Sequence, residues 1–202
     1  MLRRQARRRA VRRVLVRLGI GAGVVAVLAL AAVVLVPLAT ADREVCLGDP
    51  ASFPSAGVRG WQGEQLEHAA VIISTARELG FDRDGQILGV MTAMGESSLR
   101  NIDYGDWETS GVRNPDGTRT SSIGLFQQQS WWGSVEERMD PAGSAELFYA
   151  RLARLDGWER MAPSHAIHRV QINTDREHYA RFESDAAAVV DTIGHVCAES
   201  AA

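Results

Sequence analysis

The chain has 202 residues and a formal net charge of −3, but the two signs are segregated: residues 1–43 hold nine Arg against one Asp, and residues 44–202 hold thirteen Arg against twenty-four acids. So acidic a second part excludes the nucleic-acid binders, whose affinity rests on clustered cations. Less its N-terminal tail, the chain is long enough for one globular domain with a core that needs no metal.

Arg3, Arg4, Arg7, Arg8, Arg9, Arg12, Arg13 and Arg17 make residues 1–18 a dense cationic head. Gly19 to Leu38 then runs without a charge, long enough to span a bilayer. The positive-inside rule predicts a single-pass membrane protein anchored through residues 19–40, with its N-terminus cytoplasmic and its domain extracytoplasmic. Ala39-Thr40-Ala41 also fits a small-x-small cleavage site, so a secreted form cut after Ala41 stands beside the anchored one. Residues 41–63, with Pro50 and Pro54, read as a linker or irregular lead-in. Cys46 and Cys197 lie near the two ends of the domain, and in an exported chain they are expected to form one disulfide.

Leu66, Ala69, Ala70, Ile73 and Ala76 trace the stripe of an amphipathic helix. Asp82 is placed to cap a second, mostly apolar helix over 83–97, in which Ile87, Leu88, Met91 and Met94 recur at helical spacing. That helix ends on one acid, Glu96. The negative end of the helix dipole and apolar surroundings both disfavour a carboxylate there. A raised carboxyl pKa is what a general acid working near neutrality needs.

Residues 101–120 lose all periodicity, and Asn114-Pro115-Asp116-Gly117 is a turn signal that predicts a small hairpin or irregular lobe. Asp140-Pro141 opens a helix with Ala145, Phe148, Leu152 and Leu155 on one face, stopped by Asp156-Gly157. A shorter helix is expected over 164–172. Thr174-Asp175-Arg176-Glu177 reads as a capping box for the last helix, whose stripe is Tyr179, Phe182, Ala186, Val189 and Ile193. His165 and His168 are three apart, but no third ligand stands at a telling spacing, and no metal is expected.

Two segments carry a likeness. Glu96-Ser97-Ser98-Leu99, followed by Ser122-Ile123-Gly124-Leu125-Phe126-Gln127, resembles the lysozyme-like superfamily of muramidases, lytic transglycosylases and goose-type lysozymes. The likeness extends more loosely from about Glu64 to Ile193. Through Leu99–Asp106 and Gly124–Gln128 it is similar to the actinobacterial membrane-anchored peptidoglycan hydrolases. The resemblance implies a mainly α, lysozyme-like domain over 64–202, with a small loop or β-hairpin insertion where such folds carry their β lobe. It implies cleavage of the MurNAc–GlcNAc β-1,4 linkage of peptidoglycan with Glu96 as general acid/base, and no cofactor.

A second carboxylate normally completes glycoside hydrolysis. Asp103, Asp106, Glu108 and Asp116 are available, and Asp106, beside Trp107, is the choice. Lytic transglycosylases manage with the single Glu, using the sugar's own N-acetyl and 6-hydroxyl groups. Ser97, Ser122, Gln127 and Gln128 are the polar candidates for holding sugar, and Trp107, Trp131 and Trp132 the candidate stacking platforms. Many relatives have an Ala-Tyr-Asn-x-Gly segment whose Tyr supports the cleft near the Glu; here the region reads Ala166-Ile167-His168-Arg169-Val170-Gln171-Ile172-Asn173. Gln171 or Tyr179 is expected to substitute. The competing expectation is a degenerate member that binds glycan, or scaffolds a complex, without cutting.

Overall fold

Residues 52–200 are described by a computed structural model, with side chains through Ile193. The Arg-rich head, the apolar segment 19–40, Cys46 and the side chain of Cys197 lie outside the described residues. The expected anchor and disulfide lie there too. Among the described residues no helix is long and apolar enough to cross a membrane.

The domain is mainly helical, and no strand forms among the described residues. In chain order the helices are α1 (Glu64–Glu78), α2 (Arg83–Ser97), α3 (Asp106–Ser110), α4 (Val135–Met139), α5 (Pro141–Leu152), α6 (Pro163–Gln171) and α7 (Glu183–Ser200). Two 3-10 turns, Trp158–Arg160 and Ala180–Phe182, precede α6 and α7.

Helix α2 is the axis. Every residue from Gly85 to Met94 is buried, so it presents no solvent face, as expected of a helix that is apolar all round. Asp82 starts it as predicted, its side chain accepting from the Gly85 amide. Helices α1, α5, α6 and α7 pack around it. Leu66, Ala69, Ala70, Ile72, Ile73 and Ala76 line the inner face of α1; Ala145, Phe148 and Leu152 that of α5; Ala186, Val189, Val190 and Ile193 that of α7. Two glycines let aromatic rings touch the α2 backbone. A Cβ on Gly89 would meet the Tyr149 hydroxyl, and one on Gly95 would lie 2.5 Å from the Tyr179 ring. Phe53, Val58 and Trp61 pack on this core, so the ordered domain begins upstream of Glu64.

Three local expectations need correction. Thr174–Glu177 does not cap the last helix. The Asp175 carboxylate takes the Glu177 amide instead, and Ser164 receives the Tyr179 amide while donating to the Arg176 carbonyl. The chain therefore turns here, and α7 starts only at Glu183. Tyr179 belongs to that turn and not to the α7 stripe, yet it is fully buried. The aperiodic 101–120 stretch contains the short helix α3, whose N-cap amide, Gly105 N–H, donates to the Glu108 carboxylate. Of the expected small hairpin or irregular lobe, the structure has the irregular lobe, with one antiparallel bridge, Arg113 to Arg119, closed by the Asn114–Thr118 turn.

Candidate active site

Glu96 occupies the last turn of α2, followed by an abrupt reversal. Ser98 and Leu99 both adopt the left-handed region, with φ of 56° and 57°. Non-glycine residues there are strained by about 1–2 kcal/mol each, so the surroundings must hold them. They do so from both sides. Leu99 N bonds to Ala93 O, the buried His68 donates through Nδ1 to Leu99 O (2.8 Å), and Gln65 donates to Ser98 O (2.9 Å). Leu99 is thereby turned wholly inward. Glu96 is left at the mouth of the core, with its residue partly open to solvent and its carboxyl enclosed by protein.

Burial pushes the Glu96 carboxyl from its ordinary 4.5 up to about 7, and the Asp106 charge adds to the rise; a hydrogen bond from Tyr179 opposes them. Such a group holds a proton near neutrality and can release it. Tyr179 Oη donates to Glu96 Oε1 and accepts from Asn173 Nδ2 at 2.9 Å. Burial first, and then the Glu96 charge, raise the phenol's own pKa, so Tyr179 remains the donor. The neighbouring His178 donates Nε2–H to the Gly95 carbonyl at 3.4 Å. One turn thus clamps both residues at the end of α2.

The glutamine-rich segment forms the second wall. Ile123 and Gln128 exchange backbone bonds across Gly124–Gln127, a tight loop. Gly124, at φ 77°, lies so close to the Arg138 carbonyl that a Cβ would stand 2.0 Å from it. Arg138 is buried on α4 and spends its guanidinium on the carbonyls of Ser121, Gln128, Gly133 and Ser134. Burial lowers its pKa. Two further bonds hang the loop on the helices: Ser97 Oγ to Leu125 O at 2.8 Å, and Gln171 Nε2 to Phe126 O at 3.0 Å. Gln127 has φ 45° and donates to Tyr104 O and Gly124 O, tying the loop to the insertion. Gly105 packs so tightly there that a Cβ would meet Ser122 and the Gln127 amide.

The structure therefore brings Glu96, Tyr179, Asn173 and the 122–127 loop together, with Gln171 as a strut. Ser97 is a clamp, spending its hydroxyl on Ala93 O, Leu125 O and Arg100 N. Ser122 is buried at the contact with Gly105. Gln128, expected to touch sugar, is wholly buried and donates to Ser144 O. The Trp107 ring is covered by the Arg113 and Arg119 guanidiniums, each 4.5 Å from its centroid, and the Trp132 ring by Arg151 at 3.3 Å. Trp131 is 59% exposed and is the tryptophan with a bare surface to offer.

Among the carboxylates, Asp116 fastens its own turn to Thr118, and Glu108 caps α3. Asp106 is exposed at the start of α3 and acts on Glu96 through its charge. His165 faces Glu177, and His168 faces Asn173. Three residues that matter were not anticipated. Asn173 closes the region that stands in place of the Ala-Tyr-Asn segment, and neither Arg138 nor His68 lies in a motif or a periodic stripe that would single it out. A cavity of about 330 Å³, lined by Arg83, Ile87, Leu88, Trp158, Met161 and Glu183 among others, includes none of the residues around Glu96. The chain matches no protein-family model and no curated protein.

Proposed function

We propose that this domain is a lysozyme-like enzyme that cleaves the MurNAc–GlcNAc β-1,4 linkage of peptidoglycan, with Glu96 as general acid and then general base. One observation carries the reading: a carboxyl on a half-buried residue, enclosed by protein so that its pKa is pushed up to about 7, and braced on one oxygen by a buried tyrosine. The reaction asks for these properties. The leaving glycosidic oxygen must receive a proton as the bond breaks, and an acid with a pKa near the working pH delivers it most effectively. The resulting carboxylate then takes a proton from the attacking group, either a water or the sugar's own 6-hydroxyl.

The Tyr179–Asn173 pair supports the same reading, because it supplies beside Glu96 the tyrosine and asparagine that the missing Ala-Tyr-Asn segment would have brought. Asp106, exposed at the start of α3, influences Glu96 through its charge. The anhydro-forming route of a lytic transglycosylase needs Glu96 alone, whereas a two-carboxylate muramidase would draw on Asp106 as well. Anchored through residues 19–40, with the domain outside, the enzyme would act on wall beside its own membrane.

Mass spectrometry of soluble fragments released from purified peptidoglycan by the full-length protein, beside Glu96→Gln, tests this. Glu96-dependent fragments one water lighter than hydrolysis products are the expected result. Reducing-end fragments would restore Asp106 as a second catalytic group. No fragments from a folded protein would sink the enzyme reading. The alternative, a glycan-binding or scaffolding domain that does not cut, draws support from the commitment of Gln127 and Gln128 to internal bonds. Co-sedimentation with insoluble wall in the absence of turnover would establish it.

A further inference from the structure

The bracing of Glu96 continues beyond Tyr179. His168 Nδ1 lies 2.7 Å from Asn173 Oδ1, Asn173 Nδ2 lies 2.9 Å from Tyr179 Oη, and Tyr179 Oη donates to Glu96 Oε1. We propose that His168 is a positioning residue for Glu96, fixing the direction of this four-residue hydrogen-bond chain so that Tyr179 gives its proton to the carboxyl. The proposal rests on Glu96 being the acid.

The argument is one of donors and acceptors. A carboxamide offers an oxygen at one corner and an NH2 at the other, so turning Asn173 over exchanges them. In the turned state Oδ1 would face the Tyr179 hydroxyl, and two acceptors, Oδ1 and Glu96 Oε1, would compete for one phenolic proton. With hydrogen on Nδ1, His168 opposes this, because the turned amide would set an NH2 against an N–H; turning the amide would require His168 to move its hydrogen to Nε2 as well. Nδ1 carries hydrogen in one neutral tautomer and in the protonated ring alike, so ionisation of His168 does not reverse the chain. Nearby His165 is committed elsewhere, to the Glu177 carboxylate beside Arg176.

Backbone geometry serves the same end. His168 sits in the last turn of α6, and Ile172, at φ 58°, reverses the chain so that Asn173 returns toward it. Ile172 is left 77% exposed, which apolar packing does not explain. With Oε1 occupied by the Tyr179 proton, the carboxyl's own proton resides on Oε2, the oxygen left for the substrate. The charged and titratable groups facing Glu96 are Tyr179 from the turn before α7 and Asp106 from α3. Changing His168 removes neither group and acts on Glu96 only through the direction of the Tyr179 bond.

The test compares full-length wild type with His168→Leu, which fills similar volume without a donor, and His168→Asn, whose amide nitrogen stands where Nδ1 stood. Two readouts are taken: kcat, KM and the pH profile on peptidoglycan, and the titration of the Glu96 carboxyl followed by carbon-13 NMR, which needs no turnover. For His168→Leu, kcat should fall by roughly tenfold with KM little changed, the loss of one directed hydrogen bond. The basic limb and the carboxyl midpoint should both move to higher pH, because a bond favouring the carboxylate is weakened. His168→Asn should restore both. If His168→Leu does not fold, His168→Phe keeps a ring without the donor and should give the same upward shift. An unchanged Glu96 midpoint in a folded chain-breaking variant overturns the proposal, as does failure of His168→Asn to restore it. Absence of turnover in wild type would end the enzyme reading, while the titration still decides the role of His168.

Discussion

A carboxyl that prefers its proton makes the fold sensitive to pH in a defined sense. Glu96 titrates near 7 when folded and near 4.5 when exposed. Between those values the native state holds a proton that the unfolded chain has released, so stability declines as pH rises through that window. The favourable contribution is complete below about 4.5 and gone above about 7. Glu96→Gln keeps an acceptor for Tyr179 and removes the titration. It should be more stable than wild type at pH 8 by up to about 3 kcal/mol, and show no gain at pH 4. Urea unfolding at the two pH values checks this, and equal differences at both would mean that Glu96 titrates normally. Tyr179→Phe keeps the ring in its pocket and removes the one hydrogen bond that lowers the Glu96 pKa. The basic limb of activity should therefore move upward, and stability should fall by about 1–2 kcal/mol as the Asn173 amide loses its acceptor.

At the level of elements, the close approach of the Tyr179 turn to α2 depends on Gly95. Alanine there would gain about 1 kcal/mol in helix propensity. Its Cβ would also stand 2.5 Å from the Tyr179 ring, and such overpacking costs about 1–3 kcal/mol. Gly95→Ala should therefore lower the melting temperature or leave it level, and in either case displace Tyr179 and raise the Glu96 midpoint; a crystal structure with the ring unmoved would count against this packing argument. Arg138→Leu should be far worse, by about 3 kcal/mol or more, because four carbonyls lose their donor at once. Sequence made the first element plain and the second invisible. Helix α2 runs Arg83–Ser97 as expected, because Asp82 caps it and its apolar residues leave no polar face. An arginine buried among carbonyls has no periodic signature, and by composition it reads as surface. The same limit hid the αL pair Ser98–Leu99, held by His68 and Gln65 from another helix, and the five-residue α3, too short to show a period. Tyr179 fits the apolar stripe of the last helix by its spacing, yet it belongs to the turn before α7. The competing bond from the Glu177 amide to the Asp175 carboxylate breaks the capping box that would have started α7 early.

Taken whole, the domain divides into a helical body and a lobe that contributes nothing to its core. No residue between Leu99 and Leu125 belongs to the buried hydrophobic cluster. Yet the lobe's two ends meet: Gly124 N bonds to Ile102 O at 2.7 Å, and Gly105 lies against Ser122. Shortening the connection across so short a gap changes its closure entropy little, by about 0.6 kcal/mol per halving of length. Replacing residues 104–120 by a short glycine-rich link should therefore leave helix content and cooperative unfolding close to wild type. Ser121 is retained because Arg138 donates to its carbonyl. The site should respond quite differently. Losing the lobe removes the Asp106 charge and unties Gln127 from Tyr104, and it admits water toward Glu96. Each change favours the carboxylate, so the Glu96 midpoint should fall from about 7 toward 4.5, and cleavage near neutral pH should fall with it. A folded, lobe-less protein whose Glu96 still titrates near 7 would place the whole origin of the shift in the helical body. Loss of folding would show instead that the lobe, through the polar contacts of Gly105 and Gln127, holds the glutamine loop in place.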